Sequence, residues 1–282
     1  MSQHFKDKNF QSQHANNCDL LIQLSQARIS YAIIDKTTNA PQVLFDTSLL
    51  RRNGRIEMFD KLDELLNSKE ELSYRFKKVK VSVQTPHFTF IPQTLFDPTL
   101  IADYAKLINP SSNAQENVQV RDIASLGIKN VIVLDHELKT SIEERLAGAV
   151  LFSQADSFIA GMSKMVTPGD TFLALNMQPE TVEFVLFNAG KLVFYNLFDC
   201  ETADDLNYFL LHVIKELNLD MQQTKVSLAG DIEANDASYL CIKKYFNNIQ
   251  FLNTRQVLIQ STFADQLVSH HFFSLLSLNE CQ

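Results

Sequence analysis

Apolar residues cluster in three short runs in the second half of the chain, and these runs predict three consecutive strands, at least one of them apolar on both faces. These runs are rich in Val, Phe, Leu and Tyr, as strands are, and they cover residues 171–176, 181–187 and 191–198. Proline and glycine, which favour turns, separate the runs at Gln178-Pro179 and at Asn188-Ala189-Gly190. The pattern therefore predicts a three-stranded meander.

After the meander, the apolar spacing changes to the three and four residues that are typical of a helix. Thr202 is a good N-cap, and Asp204 and Asp205 suit the positive end of the helix dipole. One buried stripe follows at helical spacing, formed by Leu206, Phe209, Leu210, Val213, Ile214 and Leu217. A buried strand at 225–229, a helix at 235–247 and a last short strand complete this half.

The first half repeats this order of elements. Three predicted strands, a helix, a strand, an extended piece and a second helix cover residues 19–24, 28–35, 42–46, 56–67, 78–85, 87–91 and 99–108. No repeat of individual residues accompanies the repeated order, so the comparison depends on the elements alone. Three meandering strands followed by alternating helices and strands, found twice, predict an α/β protein of two domains, each a mixed sheet with flanking helices.

The segment between the two patterns gives weaker signals, and the domain limits follow from it. We expect a loop, two strands, a helix capped by Thr140 or Ser141, and a further helix, at 109–117, 118–124, 130–134, 139–147 and 155–165. The polar residues 1–17 predict a disordered tail, and the two domains are expected at 18–150 and 151–282. The apolar C-terminal segment is expected to pack on the body of the protein.

Composition narrows the class of protein. The 282 residues are 45% hydrophobic and 21% charged, as in ordinary soluble globular chains, and the net charge of −8 disfavours a nucleic-acid partner. No apolar run is long enough for a transmembrane helix, so no membrane insertion is expected. The four scattered cysteines and the absence of an apolar signal core favour a cytoplasmic location.

The repeated order of elements is the one used twice in the actin-like ATPase superfamily of sugar kinases, heat-shock chaperones and actins. Four segments resemble an uncharacterised bacterial family of unknown function: PHFTFIPQTLFDP, LFDCETADDLNYFLLHVIKELNLD, VSLAGDIEANDASYLCIKKYFNNIQF and SHHFFSLLSLNEC. The resemblance covers nearly the whole chain from about residue 19. It implies an actin-like fold of two ribonuclease H-like domains, but no activity.

Active members of the superfamily hold a nucleotide with two hairpins that resemble D-x-G plus a small hydroxyl residue, and with a glycine-rich turn. The corresponding positions here are degenerate: Gln23, Ser25, Asn176, Thr181, Gly230 and Asp231. The first hairpin has neither the aspartate nor the glycine, and Pro179 removes an N–H donor from the second. These departures from the superfamily pattern predict no bound cofactor, no catalytic residue and no metal site.

Glycine spacing and two short clusters complete the search for chemistry. No two of the seven glycines are closer than eight positions, so neither GxGxxG nor GxxxxGK[ST] exists in the chain. His270-His271 is interpreted as a packed or surface pair rather than a metal site, because further ligands are not near in sequence. Asp135-His136-Glu137 is interpreted as the start of a helix rather than a functional cluster.

Two functions of different classes remain. The favoured hypothesis is a non-catalytic pseudo-ATPase that acts as a scaffold or adaptor by binding another protein, whose identity the sequence does not reveal. The alternative is a divergent nucleotide-dependent ATPase or kinase of the actin-like superfamily. Aspartates at both hairpins would favour the enzyme, and the hairpins carry Gln23 and Asn176 instead.

Overall fold

The computed structural model describes residues 2–49, 55–110, 117–167, 169–254 and 261–282. The chain divides into two compact units. Unit 1 comprises Met1–Ala160, Val257–Gln266 and Leu275–Gln282, and unit 2 comprises Gly161–Gln256 and Leu267–Ser274. The end of unit 1's long segment lies ten residues beyond the expected limit at 150, because the strand that follows this limit pairs within unit 1.

The large sheet of unit 1 has six strands. They are β1 (Ser2–Lys6), β2 (Cys18–Leu24), β3 (Arg28–Asp35), β4 (Pro41–Ser48), β5 (Lys78–Val83) and β9 (Val150–Ser153), in the spatial order β1-β4-β3-β2-β5-β9. The four strands from β1 to β2 pair antiparallel, whereas β2 with β5 and β5 with β9 pair parallel. The sheet is therefore an antiparallel meander extended by two parallel strands.

Unit 2 contains a sheet of the same design. Its five strands are β10 (Thr171–Met177), β11 (Thr181–Asn188), β12 (Lys191–Asp199), β13 (Lys225–Gly230) and β14 (Ile249–Phe251), in the order β12-β11-β10-β13-β14. The first three pair antiparallel, and β13 and β14 continue the sheet in parallel. The prediction of two mixed sheets with one repeated strand order is confirmed.

Helices cover the sheets through apolar stripes. In chain order they are α1 (Ser12–Ala15), α2 (Arg55–Ser68), α3 (Ile101–Ile108), α4 (His136–Arg145), α5 (Gln154–Ser163), α6 (Ala203–Glu216), α7 (Ala237–Lys243) and α8 (Phe273–Ser277). In unit 1, Met58 and Leu62 of α2 share a core with alternate residues of the sheet. In unit 2, Leu206 and Leu210 of α6 do the same, and Thr202 caps this helix as predicted.

A second, smaller sheet belongs to unit 1. It contains β6 (Phe88–Pro92), β7 (Val118–Ile123) and β8 (Ile128–Val133), paired antiparallel in the order β6-β8-β7. Helix α3 packs against β8. Residues 111–116 of the predicted loop lie outside the described residues. Because these elements stand between β5 and β9 in the chain, they form an insertion that the sheet of unit 2 lacks among its described residues.

The N-terminal segment is ordered, contrary to the prediction from the sequence. Residues 2–6 form β1 on β4 instead of a disordered tail. His4 Nε2 and Lys6 Nζ lie 2.9 and 3.3 Å from the carboxylate of the buried Glu71, and the ring of Phe5 stacks on Phe263. Backbone pairing and the contacts of His4 and Lys6 with a buried carboxylate order this polar segment, which lacks the apolar pattern that predicts a strand.

Two further elements differ from the prediction. Helix α4 begins at His136 rather than 139, in agreement with the interpretation of Asp135-His136-Glu137 as a helix start. Asp135 accepts the N–H of Leu138 and takes the N-cap position expected of Thr140 or Ser141. Strand β9 was not predicted, since only four residues at 150–153 carry its signal. Within the described ranges, no helix combines the length and apolar character that a membrane crossing needs.

Candidate functional site

The first degenerate hairpin joins β2 and β3 in unit 1. Gln23 pairs in register with Ser30 on β3 and Ser82 on β5, one residue before β2 ends. The Ser25 N–H donates to the Arg28 carbonyl at 2.9 Å, and the Ser25 hydroxyl lies 3.3 Å from the same oxygen. Both polar groups of Ser25 therefore contact the hairpin's own backbone.

A cavity of about 290 Å³ lies beside this hairpin, within unit 1. It opens where the parallel strands β2 and β5 end in register, at Leu24 and Val83. The carboxyl ends of parallel strands are the usual ligand position in α/β sheets. The remaining lining comes from the hairpin, α2, the chain after β5, the end of α3 and the start of α4: Ser25, Gln26, Arg55, Met58, Gln84, Thr85, Pro86, His87, Asn109, Asp135 and Leu138.

One ion pair lies in the wall of this cavity. Arg55 Nη1 lies 3.1 Å from Asp135 Oδ1, and both side chains are close to half exposed. Burial alone would raise the pKa of the Asp135 carboxyl, but the Leu138 N–H and the Arg55 guanidinium hold it below its usual range. Asp135 is therefore ionised at neutral pH, and it both caps α4 and pairs with the guanidinium.

The second degenerate hairpin joins β10 and β11 in unit 2. The Gln178 N–H donates to the Thr181 carbonyl at 2.8 Å, which leaves Pro179 and Glu180 at the turn. Asn176 lies before the turn and is buried. Its Nδ2 donates to Glu183 Oε1 at 2.6 Å, and its Oδ1 accepts from Gln178 Nε2 at 3.4 Å. The side chain at the expected aspartate position is thus bound to its own hairpin.

Glu183 is the buried carboxyl of this hairpin. Tyr195 on β12 donates its hydroxyl hydrogen to Glu183 Oε2 at 2.6 Å, opposite the contact with Asn176. Burial raises the pKa of Glu183 to about 7, although the hydrogen bonds from Tyr195 and Asn176 act in the other direction. The Glu183 carboxyl therefore titrates near neutral pH, within a hydrogen-bonded network that it forms with Asn176 and Tyr195.

The glycine-rich turn of an active relative corresponds to the end of β13. Gly230 pairs in register with Met177 and has a φ of +78°. A Cβ at this position would lie 1.9 Å from the Met177 carbonyl oxygen and 2.8 Å from Asn176 Oδ1. The next residue, Asp231, donates its N–H to the same carbonyl at 2.8 Å. Close contact between two backbones is enough to require glycine here.

A segment near the C-terminus of the chain covers this turn. Residues Ser269–Phe272 pack against β13 within unit 2. His270 Nε2 donates to the Ile232 carbonyl at 2.7 Å, and His271 Nδ1 lies 2.9 Å from Asp231 Oδ1. The interpretation of the two histidines as a packed pair is supported by these contacts. The described residues contain no group of three or more metal-binding side chains.

These contacts bring Asn176, Gly230 and Asp231 together at the ends of β10 and β13, with Thr181 across the hairpin. Gln23 and Ser25 lie at the corresponding end of unit 1. The profile of a family described as "Protein of unknown function (DUF3822)" matches residues 7–249. The chain belongs to the DUF3822 family. A comparison with curated proteins gives no match.

Solved structures that are similar to this chain identify its fold. A Bacteroides thetaiotaomicron protein with an actin-like ATPase fold and unknown function matches with a TM-score of 0.75 and 20% identity, over 95% of this chain and 98% of that one. The PilM-PilN type IV pilus biogenesis complex matches with a TM-score of 0.63 and 13% identity, over 92% and 97%. The ethanolamine utilization protein EutJ from Carboxydothermus hydrogenoformans gives 0.52 and 9%, over 94% and 89%. The DUF3822 protein has an actin-like ATPase fold, as its resemblance implied.

Two polar side chains that form these contacts were not predicted from the sequence. Glu183 is one, although a glutamate within the apolar strand TVEFVLFN is a visible signal of a buried polar network. Arg55 is the other, because nothing in its neighbourhood in sequence connects it with Asp135, eighty positions later. Only the fold brings α2 and α4 to the same cavity.

Proposed function

We propose that this protein is a non-catalytic actin-like scaffold or adaptor that acts by binding another protein. The observation that carries the proposal is the use of the polar groups at the ends of β10 and β13 by the chain itself. Asn176 donates to Glu183, and the Asp231 carboxylate contacts His271. These are positions where an active relative would bind nucleotide.

Nucleotide phosphates need free N–H donors and bound cations. At the end of β13 the Asp231 N–H donates to Met177, and His270 Nε2 donates to Ile232. The Asp231 carboxylate adds a negative charge in the same place, which disfavours a phosphate by direct repulsion. These contacts support a fold that is retained without nucleotide chemistry.

The relatives in structure support a binding role by analogy. PilM, which shares the fold, is known from its structure in a complex with PilN. A fold does not determine function, so the analogy supplies the class of role and no particular partner. By this analogy we assign a protein partner to this chain. We do not assign nucleic acid, because the net charge is −8, or membrane insertion, because no apolar run is long enough for a transmembrane helix.

The experiment distinguishes an adaptor from a divergent ATPase or kinase. The cavity beside the β2–β3 hairpin would favour the enzyme. The tagged protein is cross-linked in its host, and each captured protein is purified and recombined with it. ADP formation from Mg-ATP is then measured for the protein alone and for the recombined complex, since both an ATPase and a kinase form ADP. We expect a stoichiometric complex and no ADP above that of buffer. ADP formation that the partner stimulates would overturn the adaptor and favour the enzyme.

A further inference from the structure

The cavity of unit 1 has the size of a small-molecule site. Its volume of about 290 Å³ is at the lower limit for ligand pockets, which typically measure about 300–1,000 Å³. All the described residues that line it belong to unit 1. A compact ligand fits this volume better than a nucleoside triphosphate does.

The described lining contains apolar, neutral polar and charged residues. Leu24, Met58, Val83 and Leu138 are apolar, and the neutral polar residues include Ser25, Gln26, Gln84, Thr85 and Asn109. The Arg55–Asp135 pair supplies charges of both signs. A small molecule with a short apolar part and charged groups of both signs suits this lining.

The Arg55–Asp135 ion pair indicates which charged groups a ligand of this cavity carries. Its 3.1 Å contact joins one guanidinium nitrogen to one carboxylate oxygen, and each side chain keeps nearly half of its surface exposed. A ligand that carries only an anion or only a cation satisfies one partner and competes with the other. A ligand with a carboxylate and an ammonium group satisfies both, because arginine binds carboxylates in a planar fork and aspartate accepts from ammonium.

We propose that this cavity binds a small zwitterion of the α-amino-acid class, with its carboxylate on Arg55, its ammonium on Asp135 and its side chain against Leu24 and Met58. The site is separate from the proposed adaptor role and does not depend on it. Each of its two charged residues can be tested alone, since Asp135→Asn keeps an N-cap acceptor for α4 and Arg55 lies at the first described position of α2.

The test uses the full chain and each of the common protein amino acids, by isothermal titration. For an aliphatic ligand such as L-leucine, isocaproate lacks the ammonium group and isoamylamine lacks the carboxylate. We expect at least one amino acid to bind, and its two truncated analogues to bind about tenfold more weakly or worse, as loss of a charge-assisted contact requires. Binding by none of the amino acids, or equal binding of the acid analogue, would overturn the proposal.

Variants locate the site. Arg55→Gln and Asp135→Asn are each expected to weaken amino-acid binding about tenfold or more. Lys61→Gln removes one positive charge from the same helix, where Lys61 pairs with Glu64, and is expected to leave binding unchanged. Thermal melts check that each variant is folded. Folded Arg55 and Asp135 variants that bind as tightly as the parent would contradict this assignment.

Discussion

Glu183 makes the stability of the folded protein depend on pH. Burial raises the pKa of its carboxyl from the ordinary value of 4.5 to about 7. A raised pKa means that the folded state prefers the protonated acid. Its contribution to stability is therefore complete below about pH 4.5 and is lost as the pH rises through about 7. The carboxyl accepts a hydrogen bond from Asn176 at one oxygen and from Tyr195 at the other.

Glu183→Gln imitates the protonated acid and is expected to stabilise the protein at about pH 8. The gain is on the order of 3 kcal/mol in the free energy of unfolding, and it should disappear at about pH 4. Urea unfolding at both pH values measures it. Glu216→Gln, at the exposed end of α6, is the control and should change neither value. A Glu183→Gln protein that is less stable than the parent at high pH would show that the network needs the carboxylate.

Gly230 gives the second prediction at this scale. A Cβ at Gly230 meets the Met177 carbonyl at 1.9 Å, whereas a Cβ at Gly190 meets nothing within 4 Å, and both residues have a φ near +80°. Gly190→Ala should therefore lose only roughly 1–2 kcal/mol from backbone strain. Gly230→Ala should lose roughly 2–5 kcal/mol, since overpacking adds about 1–3.

Denaturant unfolding measures the stability of the two alanine variants. It separates the backbone strain, which both variants share, from the steric clash, which only Gly230→Ala introduces. The φ angles of the two glycines are matched, so the difference between the two losses of stability reports the close approach of β10 and β13. Equal losses at the two positions would mean that β10 can move away from the new methyl group. In that case the glycine at 230 would need an explanation other than packing.

At the scale of elements, long apolar patterns could be predicted and short or polar elements could not. The meander of unit 2 and α6 were predicted because their side chains repeat over several turns or pleats. β1 could not be, since its polar side chains contact Glu71, which is distant in sequence. The degenerate positions of the candidate site were visible as missing aspartates, but the Arg55–Asp135 pair depends on tertiary structure.

The C-terminal segment gives a prediction at this scale. Phe272, Phe273, Leu275, Leu276 and Leu278 are buried, and burying each large side chain contributes roughly 1.5–3 kcal/mol. Total stability is typically about 5–15 kcal/mol. Removal of residues 269–282 is therefore expected to leave an unfolded or aggregating protein, as size-exclusion chromatography and circular dichroism would show. A truncated chain that stays monomeric and melts like the parent would contradict the packing argument.

Point variants test the same segment without removing it. Leu275→Ala is expected to cost roughly 2–5 kcal/mol, because a fully buried leucine leaves a cavity. Val268 is 49% exposed, so Val268→Ala should change stability by no more than about 0.5 kcal/mol. Equal melting temperatures for these two variants would show that the segment contributes little to the folded state.

At the scale of the whole molecule, one topology is used twice with different surroundings. Each sheet is a meander followed by two parallel strands, and in each unit the first and fourth strands of the pattern end in register, at Leu24 with Val83 and at Met177 with Gly230. In unit 1 this end opens into a cavity, and in unit 2 the histidines of Ser269–Phe272 cover it. The repeated fold explains where a ligand can bind, and the side chains decide whether it does.

Mg-ATP provides the last prediction. Binding with a dissociation constant about a hundredfold below the ligand concentration would stabilise the fold by about 2.7 kcal/mol. The melting temperature would then rise by roughly 5–10 °C. We expect no rise beyond that given by Mg²⁺ with pyrophosphate, which controls for ionic effects. The reason is local, since Asn176 is bound to Glu183 and Asp231 puts a negative charge near the expected phosphate path.

Gly230 cannot serve as the probe of an unexpected ATP effect, because any side chain there meets the Met177 carbonyl. Ser25→Asp is the better variant, since it adds a negative charge at the β2–β3 hairpin beside the cavity. Ser73→Asp adds the same charge at an exposed site of unit 1. A rise in melting temperature that is specific to ATP, lost in Ser25→Asp and kept in Ser73→Asp, would show that the first hairpin still binds phosphate. That result would replace the adaptor with the divergent ATPase or kinase.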